Sequence, residues 1–300
     1  MVGMGRSGTT AISEAIALHE EFGWISVNVE HLPRFPAIAL LDRFVFLPGI
    51  GLHLRGKKKQ KKGLVSFVKK YLPYPSETYS VWERFCGEKF SYDYLIGQTA
   101  SAKERRQVVE YLKKILRFQG KPRFFAKFTG PPRIHYLNSI FPDAYFIHMI
   151  RDPRPVVSSL LNAEFLVRLG WLKKPWWRNG LPDNYVKEWE GTGRSPIALA
   201  AVQWKWIVEL TWKEKALIPS ERFLEVRYEN FVKQPHETLR DIFRRVHLSD
   251  SAAAHDYISS VGKIENMNFK YKTFLNPKDI ALVERITGET AKRAGYDFTK

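Results

Sequence analysis

A glycine-rich loop in front of a helical stretch constrains the fold of this chain more than any other feature. Residues 2–10 read VGMGRSGTT. Gly3 and Gly8 match the two glycines of the phosphate-loop pattern G-x-x-x-x-G-K-[ST], and Thr10 matches its last hydroxyl. Glycines let successive N–H groups and the positive end of the following helix face one concavity. The loop is therefore expected to bind an oxyanion, the alternative being a plain turn and helix cap.

The loop departs from the phosphate-loop pattern at one position. Thr9 stands where the pattern has the lysine that reaches the β- and γ-phosphates, and Arg6 lies two residues before Gly8. Ordinary hydrolysis of ATP or GTP is therefore disfavoured.

Length and composition bound the possible classes of protein. The 300 residues suffice for one large α/β domain spanning residues 1–300, and no linker divides them. Lys and Arg number 48 against 31 Asp and Glu, a net charge of +17 that favours anionic ligands, nucleic acid or acidic membrane surfaces. The single cysteine, Cys86, excludes an intrachain disulfide and a cysteine-based zinc site.

The amino-terminal sequence has no secretory signal pattern, since it runs directly into the glycine loop. A single cysteine fits a reducing compartment, so the sequence predicts a cytoplasmic protein and leaves open a peripheral contact with a membrane. Only residues 1–4 remain for the strand that feeds the loop, so either that strand is very short or natural residues precede Met1. The apolar run 35–54 is interrupted by charged residues and proline, which predicts an amphipathic or buried segment rather than a membrane span.

The order of predicted elements indicates an α/β fold with a central parallel sheet. Apolar runs at 123–127 and 144–150 flank a predicted helix at 134–141, which implies a parallel strand pair with a right-handed crossover. Lys127 and Arg151 close these two strands. Because parallel strands end at the same edge, both cations are expected beside the glycine loop.

A further strand is predicted at 24–29, which places Glu30 and His31 just past its end. Catalytic groups of open α/β sheets gather at such positions. The alternative for both residues is a solvated loop.

Capping signals define several helices. Ser101 and Glu104 form a predicted capping box for a helix over 101–118, and Asp152 with Pro153 predicts the start of a helix that runs to Leu166. The remaining predictions are helices at 196–217, 236–246 and 277–294 and a strand at 222–227.

Two basic segments leave several interpretations open. Five lysines at 57–62, followed by the amphipathic run 64–71, are typical of a solvated loop or of a patch on an anionic membrane. The aromatic and basic region 165–190 is suited to stack bases, bind sugar faces, lie at a membrane interface, or form a half-buried rim.

Three separated motifs together resemble one family. GRSGTT at 5–10, FPDAYFIHMIRDPR at 141–154 continuing to Ser159, and LEVRYEN at 224–230 are similar to sulfotransferases that use 3′-phosphoadenosine-5′-phosphosulfate (PAPS). The resemblance runs from the loop to the terminal helix, but it leaves out insertions at about 35–100 and 165–195. It implies a single domain with a fold like that of phosphate-loop NTPases, in which the insertions shape the acceptor site.

The resemblance also implies roles for individual residues. The loop would hold the 5′-phosphosulfate without a metal, and Arg151 with Ser159, eight residues apart, would bind the 3′-phosphate. Tyr228 would lie near the adenine, Lys270 or Lys272 would belong to a late loop over the cofactor, and Lys127 would hold the bridging oxygen. The implied cofactor-binding set is Arg6, Ser7, Gly8, Thr9, Thr10, Arg151, Ser159, Tyr228, Lys270 and Lys272.

The chain departs from the family where a general base is expected. Cytosolic members have a histidine at the position of Thr129, and other branches have a glutamate at that of Ala126. By similarity to tyrosylprotein sulfotransferases, Glu30 is the predicted base and His31 the second choice. Arg6 and Lys127 complete the predicted catalytic set. Cytosolic members stack the adenine on a tryptophan where this chain has Ala11, so another aromatic residue would have that role.

The predicted activity is transfer of a sulfuryl group from PAPS to a hydroxyl or amine, with adenosine 3′,5′-bisphosphate leaving. The acceptor is a small molecule, a lipid or a glycan. Two rival hypotheses remain: a magnesium-dependent nucleotide kinase, and a basic protein that binds nucleic acid or membrane surfaces. No sequence-specific nucleic acid is expected as a partner.

Overall fold

The computed structural model describes residues 1–46, 73–261 and 266–298. The lysine run at 57–62, the amphipathic run 64–71 and Lys263 lie outside the described residues. A central sheet of four parallel strands has the order β4-β1-β5-β6, and a second sheet pairs β2 with β3, also in parallel. The strands are β1 (Val2–Gly3), β2 (Phe22–Gly23), β3 (Arg123–Phe124), β4 (Phe128–Thr129), β5 (Phe146–Ile150) and β6 (Phe223–Arg227). This α/β architecture with a central parallel sheet confirms the predicted fold class.

Helices surround the sheet, and several begin at a residue whose side chain caps the first turn. The α-helices are α1 (Thr9–Ala17), α2 (Val27–His31), α3 (Tyr79–Cys86), α4 (Lys89–Tyr92), α5 (Ala102–Gln119), α6 (Ile134–Ile140), α7 (Pro153–Leu161), α8 (Glu164–Arg168), α9 (Asp183–Glu190), α10 (Pro196–Lys215), α11 (Tyr228–Lys233), α12 (Pro235–Arg245), α13 (Ala252–Val261), α14 (Tyr271–Phe274) and α15 (Pro277–Arg293). 3-10 helices cover Pro36–Phe46, Ser220–Arg222 and Asn268–Lys270. No helix in the described ranges is both long and apolar enough to cross a membrane.

The predicted caps of α5 and α7 are confirmed. Ser101 accepts from the backbone N–H of Glu104, whose side chain accepts from the backbone N–H of Ser101. Asp152 accepts from the backbone N–H of Arg154 at 2.9 Å, and Pro153 occupies the first helical position. Helix α7 ends at Leu161 and not at the predicted Leu166.

The predicted strand over 24–29 is wrong. The strand ends at Gly23, and Ser26 caps α2 by accepting from the backbone N–H of Val29 at 3.3 Å. Glu30 and His31 therefore lie in the last turn of a short helix rather than past a strand end.

The predicted strand over 123–127 is only two residues long, and a second short strand in a different sheet begins just after this range. Arg123–Phe124 pairs with β2, whereas Phe128–Thr129 pairs with β1. Since β1 lies between β4 and β5, the two predicted strands are parallel but are not neighbours. Lys127 thus precedes β4 instead of closing a strand, and Thr129 is the residue at the carboxyl end.

Both faces of the central sheet are covered. Ile147 and Met149 of β5 pack with α1 and with the helices after β6, while Phe146 and Ile150 belong to clusters on the opposite face. This follows the alternation of side chains along a strand.

The aromatic residues of 165–190 belong mainly to the core. Trp176, Trp177, Tyr185 and Trp189 are buried, which is incompatible with an exposed stacking surface at these four positions. Trp204, Trp206 and Trp212 of α10 are also buried, as predicted.

Candidate functional site

The glycine loop connects β1 to α1 at the carboxyl edge of the sheet. Gly8 is the N-cap residue of α1 and has a left-handed backbone, with φ of 82°. A Cβ at this position would lie 2.4 Å from Cδ2 of Tyr228. Glycine is required here both by the backbone angle and by the tyrosine ring beneath the loop.

The polar groups of the loop suit an anion. The hydroxyl of Ser7 is buried and has no hydrogen-bond partner among the described residues. The first turn of α1 contains no acidic residue. A buried, unpartnered hydroxyl beside the positive end of a helix fits a bound phosphate or sulfate oxygen. Thr9 is buried and Thr10 is exposed at the same turn.

Arg151 follows β5 directly and joins three parts of the site. Its Nη1 donates to the carbonyl oxygen of Arg6 at 3.0 Å, and its Nε donates to Oδ1 of Asn268 at 2.8 Å. Its guanidinium carbon lies 4.1 Å from the centroid of the Tyr228 ring. Burial lowers the pKa of Arg151 below its ordinary value, and Tyr228 and Glu229 oppose that shift. An arginine this basic stays charged, so the site keeps a buried cation beside the loop.

Asn268 and Glu229 hold Arg151 in place, although the sequence did not single out either residue. The Asn268 Nδ2 donates to Glu229 Oε1 at 2.7 Å, and the hydroxyl of Tyr296 donates to the other Glu229 oxygen at 2.9 Å. Glu229 lies in the third sequence motif, and Asn268 lies two residues before Lys270. Their pairing with Arg151 depends on contacts between distant segments.

Arg6 lies between the two predicted phosphate sites. Its Nε donates to Oγ of Ser159 at 2.8 Å, while its backbone carbonyl accepts from Arg151. The guanidinium that the sequence assigns to the phosphosulfate thus reaches the residue assigned to the 3′-phosphate. The structure brings Arg6, Arg151, Ser159 and Tyr228 together, as the motif comparison predicts.

Lys127 directly precedes β4, and its side chain reaches Glu77. The Nζ of Lys127 is 3.2 Å from Glu77 Oε1, and Oγ1 of Thr129 donates to Glu77 Oε2 at 2.7 Å. Glu77 is not a predicted site residue, because its local sequence contains none of the motifs.

The two predicted base residues differ in exposure. Glu30 is half-buried and its Oε1 accepts from the hydroxyl of Ser80 at 3.0 Å, whereas His31 is exposed. Lys270 and Lys272 are exposed. From the same segment, Asn268 contacts Arg151.

A model of the sulfotransferase family matches residues 98–252. The matched region includes Lys127, Arg151, Ser159 and Tyr228 but not the glycine loop. Two relatives, omega-hydroxy-beta-dihydromenaquinone-9 sulfotransferases of Mycobacterium bovis and Mycobacterium tuberculosis, are each 28% identical over 169 residues. The alignment covers 55% of this chain and 39% of each relative, so the chain spans about two fifths of their length.

Solved structures have the same fold. A sulfotransferase of Mycobacterium avium superposes with a TM-score of 0.55 at 19% identity, over 98% of this chain and 76% of that one. The sulfotransferase domain of the curacin biosynthetic pathway gives a TM-score of 0.51 at 13% identity, over 97% of this chain and 95% of that domain. At these identities the likeness concerns the fold alone.

Proposed function

Because this chain belongs to the sulfotransferase family, we propose that it transfers a sulfuryl group from PAPS to a hydroxyl or amine of an acceptor. PAPS supplies the sulfuryl group, and adenosine 3′,5′-bisphosphate is the leaving product. The bond from the acceptor oxygen or nitrogen to sulfur forms as the bond from sulfur to the 5′-phosphate oxygen breaks. No metal is required in this proposal.

The observation that carries this proposal is the position of Arg151. Its guanidinium contacts the carbonyl of Arg6, and the side chain of Arg6 contacts Ser159. Two arginines and a serine thus adjoin a loop whose Ser7 hydroxyl is buried and unpartnered among the described residues. A ligand with two separate phosphate groups, such as PAPS, matches this arrangement of donors.

The residues of the loop and of β4 have distinct proposed roles. Ser7, Thr9, Thr10 and the N–H groups around Gly8 bind the 5′-phosphosulfate, and Lys127 donates to the bridging oxygen as negative charge develops there. Donors that engage this charge more strongly in the transition state than in the ground state raise the rate, and losing one typically costs about a hundredfold or more. Tyr228, which contacts Gly8 and Arg151, is proposed to lie near the adenine. Lys270 or Lys272 is proposed to belong to the loop that covers the cofactor.

The acceptor is proposed to be an apolar molecule with a hydroxyl group. The support is the similarity to the two mycobacterial relatives, whose names specify an omega-hydroxy menaquinone derivative. The insertions at about 35–100 and 165–195 are proposed to shape its binding surface within a single domain.

Calorimetry with adenosine 3′,5′-bisphosphate, ADP and AMP tests the donor site. The bisphosphate is expected to bind at least tenfold more tightly than AMP, since Arg151 and Ser159 engage the additional phosphate. Arg151→Ala should remove this preference, whereas Arg244→Ala, at an exposed arginine of α12, should leave it unchanged. Equal and weak binding of all three nucleotides would contradict the proposal.

A transfer assay with labelled PAPS tests the reaction. Transfer to an apolar alcohol such as farnesol is expected to persist in EDTA. Activity that requires magnesium and ATP would instead identify a nucleotide kinase.

A further inference from the structure

Glu77 lies at the carboxyl edge of the central sheet, although it is distant in sequence from every motif. The segment before α3 runs beside the start of α2, since the N–H of Val27 donates to the carbonyl of Tyr74 at 3.1 Å. It is then fixed to β4, because the hydroxyl of Tyr79 donates to the carbonyl of Thr129 at 2.7 Å and accepts from the Thr129 N–H at 3.2 Å. Glu77 is thereby placed over the end of β4.

The carboxylate of Glu77 is bound by two residues of the same strand face. Lys127 and Thr129 are two positions apart, so their side chains point to the same side of the sheet. Lys127 contacts one carboxylate oxygen at 3.2 Å and Thr129 donates to the other at 2.7 Å. The side chain of Glu77 remains 24% exposed and that of Lys127 16% exposed, so a ligand has access to both.

This carboxylate adjoins the anion-binding loop. Thr129 pairs with Gly3, the last residue of β1 before the loop, and the N–H of Gly130 donates to the Gly3 carbonyl at 3.0 Å. β4 is the outer strand of the four-stranded sheet. A molecule that approaches the loop from this edge would meet Glu77.

We propose that Glu77 accepts the proton of the acceptor hydroxyl, a role that rests on the proposed sulfuryl transfer. In this step the hydroxyl proton moves to a Glu77 oxygen as the acceptor oxygen forms its bond to sulfur. The bond from sulfur to the 5′-phosphate oxygen breaks, and its electron pair leaves with adenosine 3′,5′-bisphosphate. The protonated carboxyl later returns the proton to water.

The ion pair with Lys127 explains how Glu77 becomes available. In this proposal the negative charge of the bound donor competes with Glu77 for the ammonium group of Lys127, because both attract the same cation. Once Lys127 turns to the donor, Glu77 keeps only the hydrogen bond from Thr129 and has an oxygen free for the acceptor. Glu30, the base predicted from the sequence, accepts instead from the hydroxyl of Ser80.

The variants that test this role are Glu77→Gln, Glu77→Ala and Glu30→Gln, with Glu88→Gln at an exposed carboxylate as the matched control. The first readout is calorimetric binding of adenosine 3′,5′-bisphosphate, which does not depend on turnover. Glu77→Gln is expected to bind it as tightly as the wild type or a few fold more tightly, because the amide no longer competes for Lys127. Binding at least tenfold weaker would show that Glu77 only supports the loop, and would overturn the proposal.

The second readout is kcat for the release of adenosine 3′,5′-bisphosphate from PAPS with farnesol, and with water as the background acceptor. Glu77→Gln is expected to lower kcat roughly a hundredfold to ten-thousandfold. Sodium formate should partly restore Glu77→Ala, because a small carboxylate can enter the space left by the side chain. Glu88→Gln should behave like the wild type.

Two further outcomes distinguish a failure of the Glu77 role from a failure of the proposed sulfuryl transfer. A wild-type chain that binds the bisphosphate and releases it from PAPS, with a kcat that Glu77→Gln leaves unchanged or that only Glu30→Gln lowers, would overturn the role of Glu77 alone. A wild-type chain that binds no bisphosphate would overturn the proposed function, and this role with it.

Discussion

At the scale of single residues, the contact between Gly8 and Tyr228 shows how the loop depends on a residue more than two hundred positions away. The left-handed backbone at Gly8 costs an ordinary residue about 1–2 kcal/mol. The ring of Tyr228 fills the space that a side chain would need, and the same ring stacks with the guanidinium of Arg151. The shape of the loop and the position of the buried cation are therefore coupled.

Gly8→Ala tests this coupling. The added methyl group would lie 2.4 Å from the Tyr228 ring. We expect tenfold or greater loss of affinity for adenosine 3′,5′-bisphosphate, because relieving the contact moves either the loop or Arg151. Calorimetry measures the affinity, and thermal unfolding shows whether the variant is folded.

Gly5→Ala is the matched control within the same loop, since a Cβ there meets nothing within 4 Å. It should change the affinity less than threefold. Equal losses in the two variants would mean that the contact with Tyr228 is not what fixes the loop.

The sequence predicts the candidate site residues that carry a local signal. Arg151 follows an apolar strand and precedes a capped helix, and the loop has its glycine spacing, so both were predictable. Asn268 and Glu77 were not, because their partners Arg151 and Thr129 are 117 and 52 positions away. Long-range contacts of single polar side chains leave no periodic pattern in one sequence.

At the scale of elements, helices were predicted better than strands. The start of α5 is encoded within four residues, by Ser101 and Glu104. In contrast, β1, β2, β3 and β4 contain two residues each. Strands this short are defined by their pairing partners, which explains why the run at 123–127 was assigned to one sheet when it connects two.

A buried acid fastens the 3-10 segment Pro36–Phe46 to the end of α5. Asp42 is fully buried and accepts from Gln119 Nε2 at 2.6 Å, while Gln119 also exchanges hydrogen bonds with the backbone of Trp24. Burial raises the pKa of Asp42 from 3.8 to about 7, although the hydrogen bonds from Gln119 and Ser26 act in the opposite direction. The folded chain therefore favours the protonated acid.

The pH dependence of stability tests this assignment. The folded pKa of Asp42 lies above the unfolded value, so its contribution is fully present below about pH 4 and is lost as the pH rises to 7. Asp42→Asn cannot ionise, so its free energy of unfolding relative to the wild type should rise by about 1.4 kcal/mol per pH unit between pH 4.5 and 7. Urea unfolding at several pH values measures the difference.

Asp143→Asn, at an exposed acid, should give a curve parallel to that of the wild type. If Asp42→Asn also ran parallel to the wild type, Asp42 would not be protonated in the folded chain.

At the scale of the whole molecule, the two ends of β1 have different surroundings. Its carboxyl end leads into the glycine loop, whereas its amino end opens into a cavity of about 740 Å³ lined by Met1, Phe125, Ala126, Phe146 and Ile147, among others. The cavity is thus on the opposite edge of the sheet from Arg151. Changes at the amino end should alter stability without altering the proposed donor site.

The amino group of Met1 lies at this cavity, where burial disfavours its charged form. It donates to the carbonyl of Ala126 at 2.7 Å, and its pKa is lowered from 8.0 to about 5 by burial and by repulsion from Lys127. Unfolding restores the ordinary pKa, so the unfolded chain binds more protons between pH 5 and 8. Stability should therefore fall as the pH is lowered through this range.

Joining Val-Ile-Val to the amino group of Met1, behind a new initiating methionine, should stabilise the protein. Val2 is in register with Phe128 on one side and His148 on the other, so added residues would continue β1 between 124–126 and 144–146. They would replace the buried ammonium with an amide and fill apolar space. We expect a higher Tm, loss of this group's pH dependence between pH 5 and 8, and unchanged affinity for adenosine 3′,5′-bisphosphate.

An extension of the same length with three aspartates is the control, since it also removes the ammonium but brings charge to an apolar cavity. If the two extensions had equal effects on Tm, the added residues would not enter the cavity.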